Sequence, residues 1–261
     1  MPGLVFPSLP FSPREVDPDF ADQYAAFKAA GHTVYLIDTD NLQGAKTFPV
    51  LADDGEPLIY RGWMLAEEEY TQLQRALGGR LVTTLDAYLS SHHLPRWYPA
   101  LVGLTLPATW VEEPAAIEHL RELQAGGMQR VFVKDYVKSV KTGQGSGVSC
   151  EEDLRRVLDD IRTYKGFIEG GVVFRPWTEL DESREIRFFV YGGTVHAPHS
   201  GIPEQAIKLA RQAALRHDAS FYTIDVMPEA LGSYKVVEIG DGQVSEPRGW
   251  DLDRFAAIFA S

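Results

Sequence analysis

A stretch of lysines and glycines at residues 131–148 has the residue types that bind a phosphate-rich anion. It begins with a short apolar run typical of a buried strand, and its lysines precede three alternating glycines. These residues are Lys134, Lys138, Lys141, Gly143, Gly145 and Gly147. Glycines let backbone N–H groups approach phosphate oxygens while ammonium groups neutralise the charge. The alternative is a solvated basic loop, and the local sequence leaves the two interpretations equally open.

The order of these residues excludes two common phosphate-binding motifs. In a P-loop the lysine follows the glycine-rich run, whereas here the lysines precede it. The glycines also lack the G-x-G-x-x-G spacing of dinucleotide-binding folds. The stretch therefore indicates neither a P-loop nor a Rossmann fold.

Two acidic residues interrupt apolar strand-like segments near the C-terminus. Asp225 lies in FYTIDVM and Glu238 in SYKVVEIG, where an unpaired charge costs several kcal/mol. In an antiparallel pair, any register whose residue numbers sum to an odd value puts both carboxylates on one face, about 5–8 Å apart. With Asp241, they predict a Mg²⁺ site shared with ligand phosphates. The alternatives are solvated carboxylates on an edge strand, or ion pairs with Lys235 and nearby arginines.

The overall composition limits the classes of function. The chain has 261 residues, 44% of them hydrophobic, and a net charge of −12, which opposes binding to nucleic acid or to an anionic membrane. Its single cysteine, Cys150, excludes an intrachain disulfide and suits a reducing compartment. The N-terminus lacks a basic leader region, and no apolar run is long enough to span a bilayer. We therefore expect a cytoplasmic protein.

Helix and strand signals alternate in the first part of the chain, which is typical of an α/β sheet. Asp17-Pro18 predicts a helix start, and two glycines at residues 78–79 close a later helix. A segment rich in proline and tryptophan at residues 92–110 breaks the periodicity, so we place a domain boundary within it. The sequence thus predicts an N-terminal α/β domain at residues 1–104 and a second domain at residues 105–261.

The second domain combines helices with antiparallel strands. A helix with one apolar stripe is predicted after residue 149, and EIRFFVYGGTVHA predicts a hairpin that turns at Gly192 and Gly193. Two further strands carry the carboxylates, and a last helix follows residue 251. The predicted fold class is therefore α/β, of the α+β type.

The order of these elements resembles the ATP-grasp superfamily over about residues 105–261. The resemblance implies a nucleotide held between two α+β subdomains, preceded by a small α/β domain. One subdomain would carry the nucleotide-binding flap, at about residues 131–170, and the other the hinge and metal ligands, at about residues 171–261. In EIRFFVYGG, Arg187 resembles the family's phosphate-facing arginine, which is the most specific single match.

The resemblance also implies roles for individual residues. Lys134 is similar to the strand lysine, residues 143–147 to the flap, residues 172–174 to the hinge strand and Glu179 to a ribose contact. The implied nucleotide-binding residues are Lys134, Lys141, Gly143, Gly145, Gly147, Val172, Val173, Phe174, Glu179 and Arg187. The implied catalytic residues are Lys134, Arg175 and Arg187. The implied metal ligands are Asp225, Glu238 and Asp241. The implied substrate-binding residues are Arg61, Arg175 and His199, although an ion pair is an equal alternative for Arg61 and a surface role for His199.

Some positions depart from the family pattern. Glu238-Ile239-Gly240 stands where the family has Glu-x-Asn, so Asp241 is the candidate replacement ligand. Phe174-Arg175-Pro176 occupies a hinge position that is usually acidic. No lysine lies between Lys46 and Lys134, so an arginine must replace the family's upstream lysine. These departures resemble a small branch known only as an ATP-grasp domain of unknown function.

The resemblance implies an ATP-dependent carboxylate–amine ligase that uses ATP and Mg²⁺. Its expected partners are a small carboxylate and an amine, such as an amino acid or a short peptide, with no nucleic acid and no membrane. A homodimer is one option for its assembly. Two alternatives remain open: a kinase built on the same fold, and a nucleotide-binding module without turnover.

Overall fold

The computed structural model describes residues 1–52, 55–137, 145–230 and 232–260. The strands are β1 (Gly3–Leu9), β2 (Ser12–Val16), β3 (Val34–Ile37), β4 (Leu58–Tyr60), β5 (Thr109–Val111), β6 (Val131–Asp135), β7 (Gly147–Val148), β8 (Val172–Pro176), β9 (Ile186–Tyr191), β10 (Thr194–His196), β11 (Phe221–Pro228) and β12 (Tyr234–Asp241). The helices are α1 (Ala21–Ala29), α2 (Glu67–Ala76), α3 (Leu85–His92), α4 (Leu94–Leu101), α5 (Ala116–Ala125), α6 (Glu151–Lys165), α7 (Glu204–Ala214) and α8 (Leu252–Ala256). Short 3-10 turns precede α1, α5 and β9 and follow α8.

The first sheet is built around β1. This strand pairs in parallel with β3 and β4 and antiparallel with β2 near its end. The sequence analysis predicted no strand here, because prolines interrupt the apolar residues of the N-terminus. Leu4, Val5 and Phe6 are nevertheless fully buried. Burial of this apolar run therefore outweighs the donor that Pro7 lacks.

A second sheet has the order β5-β8-β6-β7. Helices α5 and α6 cover one of its faces with the apolar stripes that their 3.6-residue period produces. The predicted helix of the second domain is confirmed as α6, whose apolar residues Leu154, Val157, Leu158 and Ile161 are buried. The other face of the sheet is left for the polar side chains described below.

The third sheet has the order β10-β9-β11-β12, and all its pairs are antiparallel. The predicted hairpin is confirmed as β9 and β10, with Gly192 and Gly193 at φ of 53° and 78° in the turn. Helices α4 and α7 pack on one face of this sheet. The first sheet and α8 pack on its other face, so a single core joins Leu4 and Phe6 to Phe221 and Phe255.

This shared core bears on the predicted domain boundary. Residues from both sides of position 104 fill the same apolar layers, since Trp97 of α4 also packs with Phe188 of β9. The division into residues 1–104 and 105–261 stays a prediction. The two parts are packed together as one body around the third sheet.

The mixed architecture confirms the α+β class. Within the described part of the chain, no helix has both the length and the apolar character that crossing a bilayer requires.

Candidate active site

Three charged side chains lie in a row across adjacent strands of the third sheet. Asp225 of β11 pairs with Arg187 of β9 on one side and with Glu238 of β12 on the other. Directly opposed residues share a face of the sheet, with Cβ atoms about 4.5–5.5 Å apart. The register therefore confirms that the two carboxylates face each other, and it adds Arg187 to the same row.

Arg187 and Asp225 form a bidentate ion pair. Nε of the arginine donates to Oδ1 at 2.9 Å and Nη2 donates to Oδ2 at 2.6 Å, while Nη1 donates to the carbonyl of Glu246 at 3.0 Å. Asp225 is buried, and burial raises the pKa of its carboxyl while the arginine opposes that shift. The arginine pairing that the sequence left as an alternative is thus realised at Asp225, and the guanidinium is held in one orientation.

Lys134 joins this row from the second sheet. Its Nζ lies 3.8 Å from Oε1 of Glu238 and donates to the carbonyl of Val137 at 3.0 Å. Burial lowers the pKa of its ammonium group, and the charge of Glu238 opposes the shift. The structure therefore brings Lys134, Arg187, Asp225 and Glu238 together where the second and third sheets meet.

Arg175 lies close to Glu238 but is tied to the protein. Nη1 donates to the carbonyl of Val237 at 2.9 Å, Nη2 approaches Oγ1 of Thr105 at 3.4 Å, and the guanidinium lies 5.7 Å from the ring centre of Trp97. Burial lowers its pKa to about 10. These contacts join β8 to β12, so the structure favours a supporting role for Arg175 over the predicted clamp on a substrate carboxylate.

The predicted hinge residues lie in a central strand. Val172, Val173 and Phe174 pair with β5 on one edge and with β6 on the other. Both neighbours use the strand's backbone groups, which are then not available to an adenine ring. We correct this prediction: backbone contacts to a base would have to come after Pro176, in the segment that also contains the exposed Glu179.

The glycine-rich flap is described only at its C-terminal end. Lys138, Lys141 and Gly143 lie outside the described residues. Gly145 adopts a φ of 67°, which favours glycine. Gly147 pairs with Phe132 in β7, and a Cβ there would lie 2.8 Å from Trp177 and 2.9 Å from Arg130.

Arg130 and Trp177 support this end of the flap. The guanidinium of Arg130 stacks 3.7 Å from the ring centre of Trp177, and the pair packs directly under Gly147. The glycine is therefore needed for close approach to these two side chains.

The third predicted metal ligand has a different environment. Asp241 comes three residues after Glu238, an odd separation that points the two side chains to opposite faces of β12. Its Oδ1 accepts from the backbone N–H of Gln243 at 2.9 Å, and its buried Oδ2 has no hydrogen-bond partner among the described residues. The carboxyl still borders a small cavity of about 40 Å³ together with Arg187 and Glu238.

The structure does not assemble the predicted three-carboxylate metal site. Among the residues it describes, no group of three or more His, Cys, Asp or Glu side chains is arranged to hold a metal ion. Asp225 and Glu238 form a pair, and Asp241 is separated from them by the alternation of the strand.

Burial of Asp241 gives a pH-dependent prediction. Burial raises the pKa of its carboxyl from 3.8 to about 7. The folded protein then binds a proton that the unfolded chain has released, so the free energy of unfolding falls as the pH rises through this window. Asp241→Asn removes this dependence, and its stability relative to wild type should rise between pH 5 and pH 8 by up to a few kcal/mol.

Urea denaturation of the metal-free protein at the two pH values measures this difference. The exposed-acid variant Asp22→Asn serves as the control and should show a constant difference from wild type. A constant difference for Asp241→Asn as well would contradict the prediction.

Two predicted substrate-binding residues lie elsewhere in the fold. Arg61 is fully buried, and its guanidinium donates to Gln23 at 2.8 Å, to the carbonyl of Ser245 at 2.9 Å and to the carbonyl of Gly242. Because protein acceptors surround it, we correct its assignment to a structural one. His199 is exposed in a turn after β10, and β10 and β12 form opposite edges of the third sheet, so it is not brought to the row of charges.

A cleft of about 770 Å³ opens beside the row of charges. Residues from the first sheet, from the end of α6 and from the loop after β12 line it together with Arg187 and Glu238. Clefts of this size accommodate small-molecule ligands. The sequence analysis did not predict Trp63, Lys165 and Arg248 as lining residues. The only signal was the position of Trp63 next to Arg61 and of Arg248 soon after the metal-ligand segment.

Lys165, the last residue of α6, closes one side of this cleft. Its Nζ lies 2.5 Å from Oδ2 of the buried Asp135 and 3.3 Å from Oε2 of Glu169. Glu169 also contacts His93 at 3.1 Å. This network holds the end of α6 against β6 and against the start of α4.

Comparison with families of known proteins gives one match. The matching model describes an ATP-grasp domain, family 3 of its clade, and it covers residues 105–258, which is more than half of the chain. A sequence search of curated proteins gives no match.

Solved structures resemble the chain over nearly its whole length. D-cycloserine synthetase DcsG has 19% identity and a TM-score of 0.65, with 99% of this chain and 98% of that chain covered. A RimK domain ATP-grasp protein from Sphaerobacter thermophilus has 16% identity and a TM-score of 0.63, with 99% of each chain covered. The D-alanine-D-alanine ligase from Coxiella burnetii has 13% identity and a TM-score of 0.62, with 94% and 87% covered. At these identities the likeness is one of fold, and it confirms the ATP-grasp fold expected from the sequence.

Proposed function

Because this chain belongs to a family of ATP-grasp domains, we propose that it is an ATP-dependent ligase that joins a carboxylate to an amine. The observation that carries the proposal is the convergence of Lys134, Arg187, Asp225 and Glu238 at the meeting point of two sheets, beside a cleft of about 770 Å³. Cations facing a pair of carboxylates suit a Mg-nucleotide, because each charge on the polyphosphate then has a counter-charge.

The proposed reaction has two steps. A carboxylate oxygen of the first substrate attacks the γ-phosphorus of ATP, the bond to the β-phosphate oxygen breaks, and ADP leaves. The amine of the second substrate then attacks the carbonyl carbon of the acyl phosphate. The bond to the phosphate oxygen breaks, the amine nitrogen loses a proton to the departing inorganic phosphate, and an amide forms.

Each residue of the row has a part in this proposal. Lys134 and Arg187 would neutralise charge on the transferring phosphoryl group, a contribution that needs fixed positions rather than covalent chemistry. Asp225 would position Arg187, because its two oxygens hold the guanidinium in one orientation. Residues 143–147 remain the proposed flap over the phosphates, with Lys141 and Gly143 outside the described residues.

The donor atoms near Glu238 fit a magnesium ion. Mg²⁺ prefers hard oxygen ligands and is commonly bound by one or two protein carboxylates plus substrate phosphates, so the pair of Glu238 and Asp225 is sufficient. The Glu238 side chain is 28% exposed and can reach a ligand, whereas Asp225 is committed to Arg187. When bound, the ion would supply charge neutralisation to the phosphates. The oxygen of Asp241 that has no partner among the described residues is a further candidate donor.

The proposal extends to partners and location. Small carboxylate and amine substrates, such as an amino acid or a short peptide, suit the dimensions of the cleft. The net charge of −12 opposes nucleic acid and anionic membranes as partners, and we propose a cytoplasmic protein.

Titration of ATP into the protein, with and without Mg²⁺, tests the nucleotide site directly by calorimetry. We expect saturable binding that requires Mg²⁺, followed by ADP release in a screen that combines amino acids as carboxylate and amine substrates. Mass spectrometry of the products separates the outcomes. An amide supports the ligase, whereas a phosphorylated acceptor without amide would indicate a kinase. ATP binding without ADP release in every mixture would indicate a binding module and overturn the ligase.

A further inference from the structure

An indole ring is fixed in the wall of the cleft that faces Arg187 and Glu238. Trp63 is 47% exposed, yet its Nε1 donates to Oδ2 of Asp17 at 3.0 Å and its ring contacts Phe20 edge to face at 5.1 Å. An exposed tryptophan on a plain surface is free to change rotamer. This side chain is held on two sides while one apolar face stays open to the cleft.

The wall continues beyond the indole. Phe20 and Met64 line the cleft next to Trp63, and Tyr164 at the end of α6 lines it as an 81% exposed side chain. By contrast, other exposed apolar residues such as Phe11 and Leu215 are not part of this lining. Aromatic and thioether groups are thus concentrated at the cleft, where they offer an adaptable apolar contact surface.

The backbone that carries Trp63 is locked to the loop that follows Glu238. The N–H of Gly62 donates to the carbonyl of Gln243 at 3.2 Å, and the hydroxyl of Tyr60 donates to the carbonyl of Trp63 at 3.2 Å. Arg61 adds its bond to Ser245 from below. The apolar wall therefore keeps a fixed position relative to the strand that carries Glu238.

The opposite end of the cleft is charged. Arg187 and Glu238 lie at the reacting end, while Asp19, Glu246 and Arg248 line the remaining polar surface. Arg248 is half-exposed and contacts Glu185 through Nη1 at 2.9 Å. A ligand that matches this cleft must present a charged head to the row of charges and an apolar body to Trp63.

We propose that the cleft between Trp63 and Arg187 binds an amino acid with an aromatic or large apolar side chain, and that Trp63 determines this specificity. The inference rests on the proposed ligase function and names the substrate class of the same site. The carboxylate or amine of the amino acid lies at the end formed by Arg187 and Glu238, and its side chain packs on Trp63, Phe20 and Met64. Small or acidic amino acids leave this wall exposed to water and bind weakly.

Direct binding tests the proposal without requiring turnover. Phenylalanine (either enantiomer), leucine, glycine and glutamate are titrated calorimetrically into the protein held with Mg²⁺ and a non-hydrolysable ATP analogue. We expect saturable binding of phenylalanine and leucine and much weaker binding of glycine and glutamate. Trp63→Ala should lower the affinity for phenylalanine on the order of 10–100-fold, whereas Trp63→Phe should retain most of it.

Controls separate this proposal from the ligase proposal. Phe11→Ala removes a fully exposed ring outside the cleft and should change neither affinity. Retained ATP-analogue affinity in Trp63→Ala shows that this variant is folded. Tighter binding of glycine or glutamate than of phenylalanine, equal binding of all four, no saturable binding of any of them, or unchanged phenylalanine affinity in Trp63→Ala overturns the specificity inference. The ligase proposal is tested separately, by amide formation in the acceptor screen.

Discussion

Glu238→Gln should lower ATP-dependent turnover by on the order of 10²–10³-fold, while leaving the protein folded. Glutamine keeps the length of the side chain but removes the negative charge next to Lys134, whose Nζ lies 3.8 Å away. It also removes the more accessible of the two opposed carboxylates, so the Mg²⁺ dependence of ATP binding should weaken.

Two measurements check this result together. Calorimetric titration of ATP at several Mg²⁺ concentrations reports the binding site, and ADP release reports turnover. The matched control is Glu204→Gln, an exposed acid at the start of α7, which should behave as wild type. Unchanged Mg²⁺-dependent binding and turnover in Glu238→Gln would contradict the assignment of this carboxylate.

Arg187→Met should destabilise the protein by about 3–5 kcal/mol and also abolish most turnover. The variant leaves Asp225 buried without its bidentate partner, and an uncompensated buried carboxylate is costly even if it takes up a proton. The loss of turnover follows from removing a cation placed for the phosphoryl group.

A double variant distinguishes the two effects. In Arg187→Met with Asp225→Leu, neither charge remains, so urea denaturation should show that part of the lost stability returns while turnover does not. Arg184→Met is the matched control, because Arg184 is exposed near the start of β9 and its guanidinium contacts the hydroxyl of Tyr234 at 3.3 Å. Wild-type stability in the Arg187→Met single variant would refute the structural role of the pair.

These predictions depend on features that differ in how far the sequence reveals them. The facing of Asp225 and Glu238 could be expected from the sequence, because strand side chains alternate and every second register of two consecutive strands puts both carboxylates on one face. The same alternation separates Asp241 from Glu238, a consequence that the sequence contained and that the three-carboxylate prediction overlooked. Strand order cannot be obtained this way: Arg187 meets Asp225 because β9 pairs with β11, its neighbour after an intervening helix.

The corrected residues share one cause. Val172, Val173 and Phe174 fit a hinge strand by pattern, but β8 acquires a partner on each edge. Arg61 and Arg175 are arginines near a predicted site, and the fold surrounds both with carbonyl and amide acceptors from distant segments. A residue's type shows what it can bind, and its neighbours decide what it does bind.

The sequence by itself determined the α+β class, the positions of most helices and strands, and the lysine, arginine and carboxylates of the candidate site. These depend on local periodicity and residue type, which are properties of short segments. The tertiary structure alone decided the central place of β1, the pairing of Arg187 with Asp225 and the cleft wall formed by Trp63. These depend on contacts between segments far apart in the chain, such as Gly62 with Gln243, and the favourable energy of such contacts is set by packing rather than by local pattern.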